Sequence, residues 1–229
     1  MTRGRSAIIK SAMRVWGTIA LALSLAACGM IDGRSDNTRP QPRQQSTERL
    51  PSPSTTLSQC LSGLDRAGVR YRRLPDREFS GGCHARDTVQ LLQVGVPTRN
   101  LGAMTCPLAD RYGRWVRDVL QPAAQRNFGE QVTRVDAIGT YSCRRINGSG
   151  RLSEHGKANA IDIRAFAFAD GRTVTVEDGW NGDSRERAFL RDLHAGACRT
   201  FEIVLGPDAN ADHRDHFHFD MGDRGPYCR

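Results

Sequence analysis

The chain has 229 residues, a formal net charge of +8 and 38% hydrophobic residues, which indicates one folded domain of moderate size plus additional segments. It contains no internal repeat, no phosphate-binding P-loop and no dinucleotide-binding fingerprint, so a repeat array or a nucleotide-dependent enzyme is not indicated. Nearly all of the positive charge is arginine. A modest basic excess suits an acidic polymer or a solvated face, and it does not require nucleic acid.

Residues 1–27 predict a lipoprotein signal peptide. An apolar run at 16–27, too short for a comfortable transmembrane helix, follows a basic segment that contains Arg3, Arg5, Lys10 and Arg14. The run ends in Leu25-Ala26-Ala27-Cys28-Gly29, which resembles a bacterial lipobox. We therefore expect lipidation at Cys28 and an exported, periplasmic protein anchored to the outer (or inner) membrane; the alternative is an ordinary signal peptide cleaved nearby. Removal of the four basic residues lowers the formal net charge from +8 to +4.

Residues 28–56 predict a disordered linker. From residue 32 onward this segment is rich in Arg, Ser, Pro, Gln and Thr and has almost no apolar side chains. Such a composition cannot bury enough surface to offset the entropy of ordering the chain. The folded domain is therefore expected to span residues 57–229.

Hydrophobic spacing in this domain predicts both helices and short strands. Helical spacing occurs at 57–64, after Pro107 as far as residue 123, and at 184–197. Strands are predicted at 69–72, 89–94, 131–141, 160–166, 172–176, 201–205 and 213–220, with a hairpin turn at Asp170-Gly171. Without a repeating βαβ unit, this pattern indicates an α+β fold with a mostly antiparallel central sheet and flanking helices.

The cysteines predict stabilisation by disulfides. With Cys28 set aside, an even number remains, as expected for an exported domain: Cys60, Cys83, Cys106, Cys143, Cys198 and Cys228. The pairing Cys60–Cys83, Cys106–Cys143 and Cys198–Cys228 would close moderate loops, although the sequence leaves every other pairing open. No Cys-x-x-Cys pair is present, so a thiolate zinc site is not indicated.

The strongest chemical signal lies in two short windows, 153–162 and 213–220. They contain four of the six histidines, and the first window ends at Asp162. Within 215–221, Phe217, Phe219 and Met221 alternate with His216, His218 and Asp220. A strand with this period places the aromatic side chains in the core and the histidines on the opposite face. Two imidazoles and a carboxylate, with one position open, are a ligand set that catalytic zinc favours.

The frame Ser-x-His-x-x-x-x-Ala-x-Asp at 153–162, followed by His-x-His at 216–218, resembles the LAS zinc metallopeptidases. These include D-alanyl-D-alanine carboxypeptidases, murein endopeptidases and the related Hedgehog domain. The longer pattern is similar to the bacterial extensin-like C-terminal domain, through Tyr141-Ser142-Cys143-Arg144-Arg145, Leu152-Ser153-Glu154-His155, Ala160-Ile161-Asp162-Ile163, Leu205-Gly206-Pro207-Asp208 and Asp215-His216-Phe217-His218. The resemblance implies a Hedgehog/DD-peptidase-like fold and Zn²⁺ held by His155, Asp162 and His218.

The resemblance leaves the acid/base residue open. Carboxypeptidases of the group often carry Glu three positions before the last histidine ligand, where this chain has Asp215, whereas His213 and His216 resemble the murein endopeptidases. Alternation along a strand would turn Asp215 away from His216, so His216 is preferred as the general base, with Asp215 next.

Arg144 resembles the arginine that binds substrate or steadies the scissile carbonyl; the alternative is a surface arginine. A second departure is Ala158, where the carboxypeptidases tend to have Gly.

These features favour a monomeric zinc-dependent peptidase that acts on peptidoglycan stems or cross-links. The alternative is a catalytically inactive, zinc-containing lipoprotein module that binds the cell wall, which the missing Glu favours. A third interpretation is a disulfide-rich structural lipoprotein whose histidines are incidental.

Overall fold

The computed structural model describes residues 57–229. The predicted signal peptide, the lipidation site Cys28 and the linker up to residue 56 lie outside the described residues. The helices are α1 (Leu57–Arg66), α2 (Cys106–Trp115), α3 (Gln121–Phe128), α4 (Val176–Gly179) and α5 (Ser184–Cys198). The strands are β1 (Arg70–Arg73), β2 (Arg77–Glu78), β3 (His84–Ala85), β4 (Thr88–Gln93), β5 (Thr98–Arg99), β6 (Met104–Thr105), β7 (Val132–Gly139), β8 (Ala160–Phe168), β9 (Thr173–Thr175), β10 (Ile203–Leu205), β11 (Phe217–Asp220) and β12 (Tyr227–Cys228).

A seven-stranded sheet organises the domain. Its order is β12-β10-β11-β8-β7-β5, and β9 pairs with β8. All pairings are antiparallel except β10 with β12 and β5 with β7. Two smaller sheets are separate from it: a three-stranded sheet with the order β1-β4-β6, and the pair β2-β3. The predicted α+β class with a mostly antiparallel central sheet is therefore confirmed.

The aromatic positions of β11 pack in the core, as alternation predicts. Phe217 and Phe219 are fully buried, and the ring of Phe219 lies 5.3 Å, centroid to centroid, from that of Trp115 on α2. The Trp115 indole donates a hydrogen bond to the Leu193 carbonyl of α5 over 3.2 Å. These contacts attach the helices to one face of the sheet and leave the other face of β11 for polar side chains.

The long helix predicted after Pro107 is divided in the structure. Thr105 caps α2 by accepting a hydrogen bond from the Leu108 backbone. A π-helical segment, Val116–Leu120, then joins α2 to α3. Pro122 is the second residue of α3; its ring nitrogen cannot donate to the preceding turn, so the regular α-helical hydrogen-bond pattern is interrupted there.

The predicted strand at 213–220 is shorter than expected. A 3₁₀ turn, Ala211–His213, occupies its beginning, and β11 starts only at Phe217. The Asp170-Gly171 turn between β8 and β9 is confirmed, with Gly171 at a φ of +88°, a conformation that favours glycine. The short strands β5 and β12 are not indicated by the sequence pattern.

Two of the three expected disulfide pairs are wrong. The bonds are Cys60–Cys106, Cys83–Cys143 and Cys198–Cys228, so only the last pair is confirmed. The expectation rested on loops of moderate length, but closure entropy changes slowly with loop length and does not select a pairing. The packing of α1 against α2 instead places Cys60 beside Cys106, although 46 residues separate them.

None of the helices within residues 57–229 has the length and apolar character needed to span a bilayer.

Candidate metal centre and cleft

The antiparallel pairing of β8 with β11 places Asp162 directly opposite His218. Ile161 and Ile163, on either side of Asp162, are fully buried, so the carboxylate faces the other side of the strand. His155 reaches the same point from a 3₁₀ turn, Glu154–Lys157, that begins at the capping residue Ser153. The sheet register and this turn together form the cluster.

Donor atoms of His155, Asp162 and His218 lie within 4.8 Å of one another. His155 Nε2 is 3.0 Å from Asp162 Oδ2, and His218 Nδ1 is 2.9 Å from Asp162 Oδ1. The two nitrogens are 3.1 Å apart. All three residues are less than one tenth exposed. The structure thus brings together the three residues named as ligands from the sequence.

The outward nitrogen of each imidazole also has a partner. His155 Nδ1 lies 3.1 Å from the Thr140 carbonyl, and His218 Nε2 lies 2.9 Å from Asp220 Oδ2. When these nitrogens donate, the inward nitrogens present lone pairs, which is the tautomer that a metal ligand requires. Two imidazoles and a carboxylate so arranged are a donor set that fits Zn²⁺.

Thr140 and Asp220 are supporting residues that the sequence analysis does not single out. Thr140 acts through its backbone carbonyl, which no sequence pattern identifies, and Asp220 lies two residues after His218 on the same strand. Asp220 is only 3% exposed, and its second oxygen accepts a hydrogen bond from the Gly222 backbone at 2.8 Å. The alternation of β11 placed it on the histidine face, which was the available signal.

We expect Asp220→Asn to weaken zinc binding by about 10- to 100-fold, because loss of such an outer partner frees the imidazole to rotate or change tautomer. Competition with a chromogenic chelator measures the affinity. Asp223→Asn, an exposed carboxylate three residues later, is the matched control and should bind zinc like the unchanged protein. Equal affinity in both variants would contradict this role of Asp220.

The electrostatics of the cluster depend on Asp162. Burial by itself raises the pKa of Asp162, but hydrogen bonds from His155 and His218 outweigh it and hold that pKa well below its usual range. Burial lowers the pKa of His218, yet hydrogen bonds to Asp162 and Asp220 prevail and raise it to about 9. In the metal-free protein His218 is therefore protonated at neutral pH, and it carries a proton on the nitrogen that a metal would need.

Zinc binding should consequently release a proton from His218, and the apparent affinity should rise by about tenfold per pH unit between pH 7 and pH 9. In the metal-free protein, the raised pKa contributes stability that is complete below about pH 6.5 and is lost as the pH rises through about 9. The zinc-induced increase in melting temperature should therefore grow over this interval. Thermal scans with zinc and with chelator test this; an increase that is constant or shrinks with pH would contradict it.

His216 lies at the edge of the cluster, with Asp215 behind it. His216 Nε2 is 3.7 Å from Asp162 Oδ1, and its Nδ1 is 2.8 Å from Asp215 Oδ1. The hydrogen bond with His216 also lowers the pKa of Asp215. The expectation that Asp215 turns away from His216 is wrong, because both residues precede β11 and strand alternation does not apply to them.

His213 also belongs to this group of imidazoles. Its ring centroid is 5.2 Å from that of His216 and 5.7 Å from that of His218. Burial, followed by the neighbouring His218 and His216, lowers the pKa of His213 to about 4, so this imidazole is neutral at neutral pH. Its Nδ1 is 2.8 Å from Asn210 Oδ1, which fixes the ring beside the cleft.

The two adjacent arginines, 144 and 145, have different surroundings. The Arg144 guanidinium approaches Asp162 Oδ2 to 4.0 Å and is about half exposed. The Arg145 guanidinium instead donates to the Gly150 carbonyl within its own loop. Arg144 is therefore the arginine that can reach both the metal ligands and a bound substrate.

A cleft of about 720 Å³ opens beside the cluster. His213, His216 and His218 line it together with Arg144, Arg151 and Arg224. The three arginines are exposed side chains, and guanidinium groups bind carboxylates in a bidentate manner. Three carboxylates, Glu154, Asp212 and Asp220, also line the cleft, but Glu154 pairs with Lys157 and Asp220 with His218. The cleft thus combines an imidazole-rich wall with arginines that can contact an anionic group of a ligand.

Glu154 stabilises the loop that carries His155 through hydrogen bonds within that loop. This buried carboxylate accepts hydrogen bonds from Lys157 Nζ at 2.7 Å and from Asn159 Nδ2 at 2.9 Å. Ala158 ends the turn in the left-handed region, with a φ of +54°. The backbone there suits glycine, the residue that the carboxypeptidases tend to have, so Ala158 adopts a conformation that costs a residue with a Cβ atom about 1 kcal/mol.

The motif at 205–208 has a structural role. Asp208 accepts hydrogen bonds from the Trp180 indole at 2.8 Å and from Arg191 at 2.6 Å. Gly206 packs so closely that a side chain would meet His194 at 3.1 Å. These contacts connect α5 to the sheet beside the cleft and contribute no group to the metal cluster.

Comparison with known proteins gives one family match. The model of the family described as "Extensin-like protein C-terminus" matches residues 58–229. No curated protein and no solved structure matches the chain significantly.

Proposed function

Because the chain belongs to the extensin-like protein C-terminus family and carries a buried His-Asp-His cluster beside a cleft that contains three arginines, we propose that it is a zinc-dependent peptidase of the cell envelope. The substrate is a peptide stem or cross-link of peptidoglycan. The observation that carries the proposal is the convergence of His155, Asp162 and His218 with their outward nitrogens already bonded. The proposal includes a Hedgehog/DD-peptidase-like fold.

His155 Nε2, His218 Nδ1 and the Asp162 carboxylate would hold the ion. A bound zinc ion supplies Lewis acidity, which acidifies water and polarises a carbonyl. His216 Nε2 accepts the proton of the attacking water and then donates it to the nitrogen of the leaving amine as the amide C–N bond breaks. Asp215 orients His216 through its hydrogen bond to Nδ1. Arg144 is placed to stabilise negative charge that develops on the carbonyl oxygen.

The cleft arginines support an anionic substrate. Peptidoglycan stems carry free carboxylates, and Arg151 and Arg224 line the cleft with Arg144. The disulfides suit an oxidising compartment outside the cytoplasm. Export, a lipid anchor at Cys28 and a periplasmic location on the outer (or inner) membrane complete the proposal.

The deciding experiment is digestion of purified peptidoglycan. We expect new peptide fragments with the zinc-loaded protein and none after chelation, with activity restored by added zinc. Mass spectrometry of the fragments identifies the bond that is cut. If stoichiometric zinc is bound and peptidoglycan of every stem type remains intact, the enzyme proposal fails.

The second candidate function is an inactive zinc-containing module that binds the cell wall. The position of Asp215 favours it, because this carboxylate is about half exposed and contacts His216 instead of the cluster. In that case the protein would sediment with peptidoglycan without cutting it. The digestion experiment, combined with a sedimentation assay, distinguishes the two functions.

His216→Ala is expected to lower kcat by about 10²- to 10⁴-fold while zinc stays bound, because the proton transfer loses its side chain. Asp215→Asn should cause a smaller loss, since the imidazole remains. Zinc content and kcat are measured on the same preparations. Loss of zinc from His216→Ala would instead make His216 a ligand, and unchanged kcat would remove it from the reaction.

A further inference from the structure

A second cluster of metal-binding side chains lies between α5 and β12. Donor atoms of His194, Cys198 and Cys228 lie within 4.8 Å of one another. The two sulfurs are joined as a disulfide, so in this state they are not free to bind an ion. None of the three residues lines the cleft or belongs to the His-Asp-His cluster. The chemistry of this second cluster therefore depends on whether the disulfide is formed.

His194 is held in the tautomer that a metal ligand needs. Its Nε2 lies 3.0 Å from the Arg229 carbonyl, which can only accept, so Nε2 carries the proton and Nδ1 presents a lone pair. Burial lowers the pKa of His194, which keeps the imidazole neutral at neutral pH. Metal-binding histidines are commonly fixed by such a hydrogen bond from the other ring nitrogen to a backbone carbonyl.

The separation of His194 and Cys198 is close to that of two ligands on one ion. The residues lie one turn apart on α5, and His194 Nδ1 is 3.8 Å from the Cys198 sulfur. Zinc bonds of about 2.3 Å to sulfur and about 2.0 Å to nitrogen, at a tetrahedral angle, place two such atoms about 3.5 Å apart. The helix therefore presents two ligands with nearly the spacing that Zn²⁺ requires.

Cys228 can supply the third ligand after reduction. It is an exposed residue of the two-residue strand β12, so a thiol reagent can reach its sulfur. Its Cα atom lies 5.7 Å from that of Cys198, and rotation about the side-chain bonds can separate the two sulfurs once they are reduced. Two thiolates and an imidazole then form a donor set that selects soft or borderline ions such as Zn²⁺.

We infer that reduction of the Cys198–Cys228 disulfide creates a second metal site, in which His194, Cys198 and Cys228 bind a thiophilic ion of the Zn²⁺ class. A dithiol reductant transfers two electrons and two protons to the disulfide and leaves as its own disulfide. Metal binding then releases the two thiol protons. The inference does not rest on the proposed peptidase, because the site lies outside the cleft.

A bound ion takes over the cross-link that the disulfide makes. β12 pairs with β10 through Tyr227 and Cys228, and Tyr227 lines the cleft. So short an edge strand has little stability of its own, and loss of the cross-link releases it. An ion shared by α5 and β12 holds it again. The edge of the cleft is thereby kept in place in both redox states.

Cobalt binding tests the site, because thiolate ligands give Co²⁺ an intense charge-transfer absorption in the near ultraviolet, which histidine and aspartate ligands do not. The folded protein is treated with dithiothreitol, the reagent is removed without air, and alkylation with mass spectrometry identifies the reduced pair. We expect one Co²⁺ with this absorption per reduced chain, displaced by Zn²⁺, and none in the oxidised protein. The His-Asp-His cluster cannot produce this signal, so failure of the peptidase proposal would leave the result unaffected.

Three variants assign the ligands. Cys198→Ala/Cys228→Ala should lose the absorption. His194→Ala should keep it but bind Co²⁺ more weakly by more than about tenfold, since loss of an outer partner alone costs at least that much. His84→Ala, which removes a partly exposed histidine on β3, is the matched control and should bind like the unchanged protein.

Hydrogen exchange measures the cross-link. Protection of the Tyr227 amide should fall on reduction and return when Zn²⁺ is added. Absence of thiolate absorption once Cys198 and Cys228 are reduced would overturn the inference. So would absorption that persists in Cys198→Ala/Cys228→Ala, or equal Co²⁺ affinities in the His194→Ala and His84→Ala variants.

Discussion

Asp162→Ala is expected to remove zinc from the protein and hydrolysis with it. Asp162 contacts both imidazoles, at 3.0 Å and 2.9 Å, and supplies the only carboxylate of the cluster. Its loss leaves two neutral ligands. The fall in affinity should exceed about 100-fold, because loss of an outer partner alone costs 10- to 100-fold.

Elemental analysis and chelator competition measure the bound zinc, and digestion of peptidoglycan measures the activity. Asp212→Ala is the control, since Asp212 is an exposed carboxylate that lines the same cleft and accepts a hydrogen bond from Asn147. It should keep one zinc per chain. If Asp162→Ala also keeps its zinc, the metal is bound elsewhere and the peptidase proposal loses its basis.

Removal of the Cys60–Cys106 disulfide is expected to cost about 4 kcal/mol of the free energy of unfolding, because the bond closes a loop between residues 46 positions apart. Both sulfurs are buried between α1 and the start of α2. The double variant Cys60→Ala/Cys106→Ala avoids a buried free thiol. Urea unfolding measures the difference in stability.

Amide hydrogen exchange locates the effect. Protection in α1 should fall in this variant and persist in Cys198→Ala/Cys228→Ala, which releases β12 at the other end of the chain. Peptide mapping without reduction should recover Cys60 linked to Cys106 and Cys83 linked to Cys143. Recovery of a Cys60–Cys83 peptide would contradict the packing of α1 against α2.

Local features of the fold could be predicted from the residues alone. The alternation of Phe217 and Phe219 with His216 and His218 indicated which face of β11 is buried, because side chains alternate along any strand. The same rule failed for Asp215, because the chain before Phe217 turns instead of extending. The ends of elements depend on capping and on neighbouring segments, which periodicity does not describe.

For the candidate site, the sequence by itself determined which side chains to consider, and the structure brings them close together: His155, Asp162 and His218, with Arg144, Asp215 and His216 beside them. Only the tertiary structure decided that Asp215 orients His216, that Asp220 and the Thr140 carbonyl hold the imidazoles, and which cysteines pair. The physical reason is the same in each case. Residue type and spacing determine what a short segment can do, whereas contacts between segments distant in sequence depend on sheet register and helix packing, which are properties of the whole folded chain.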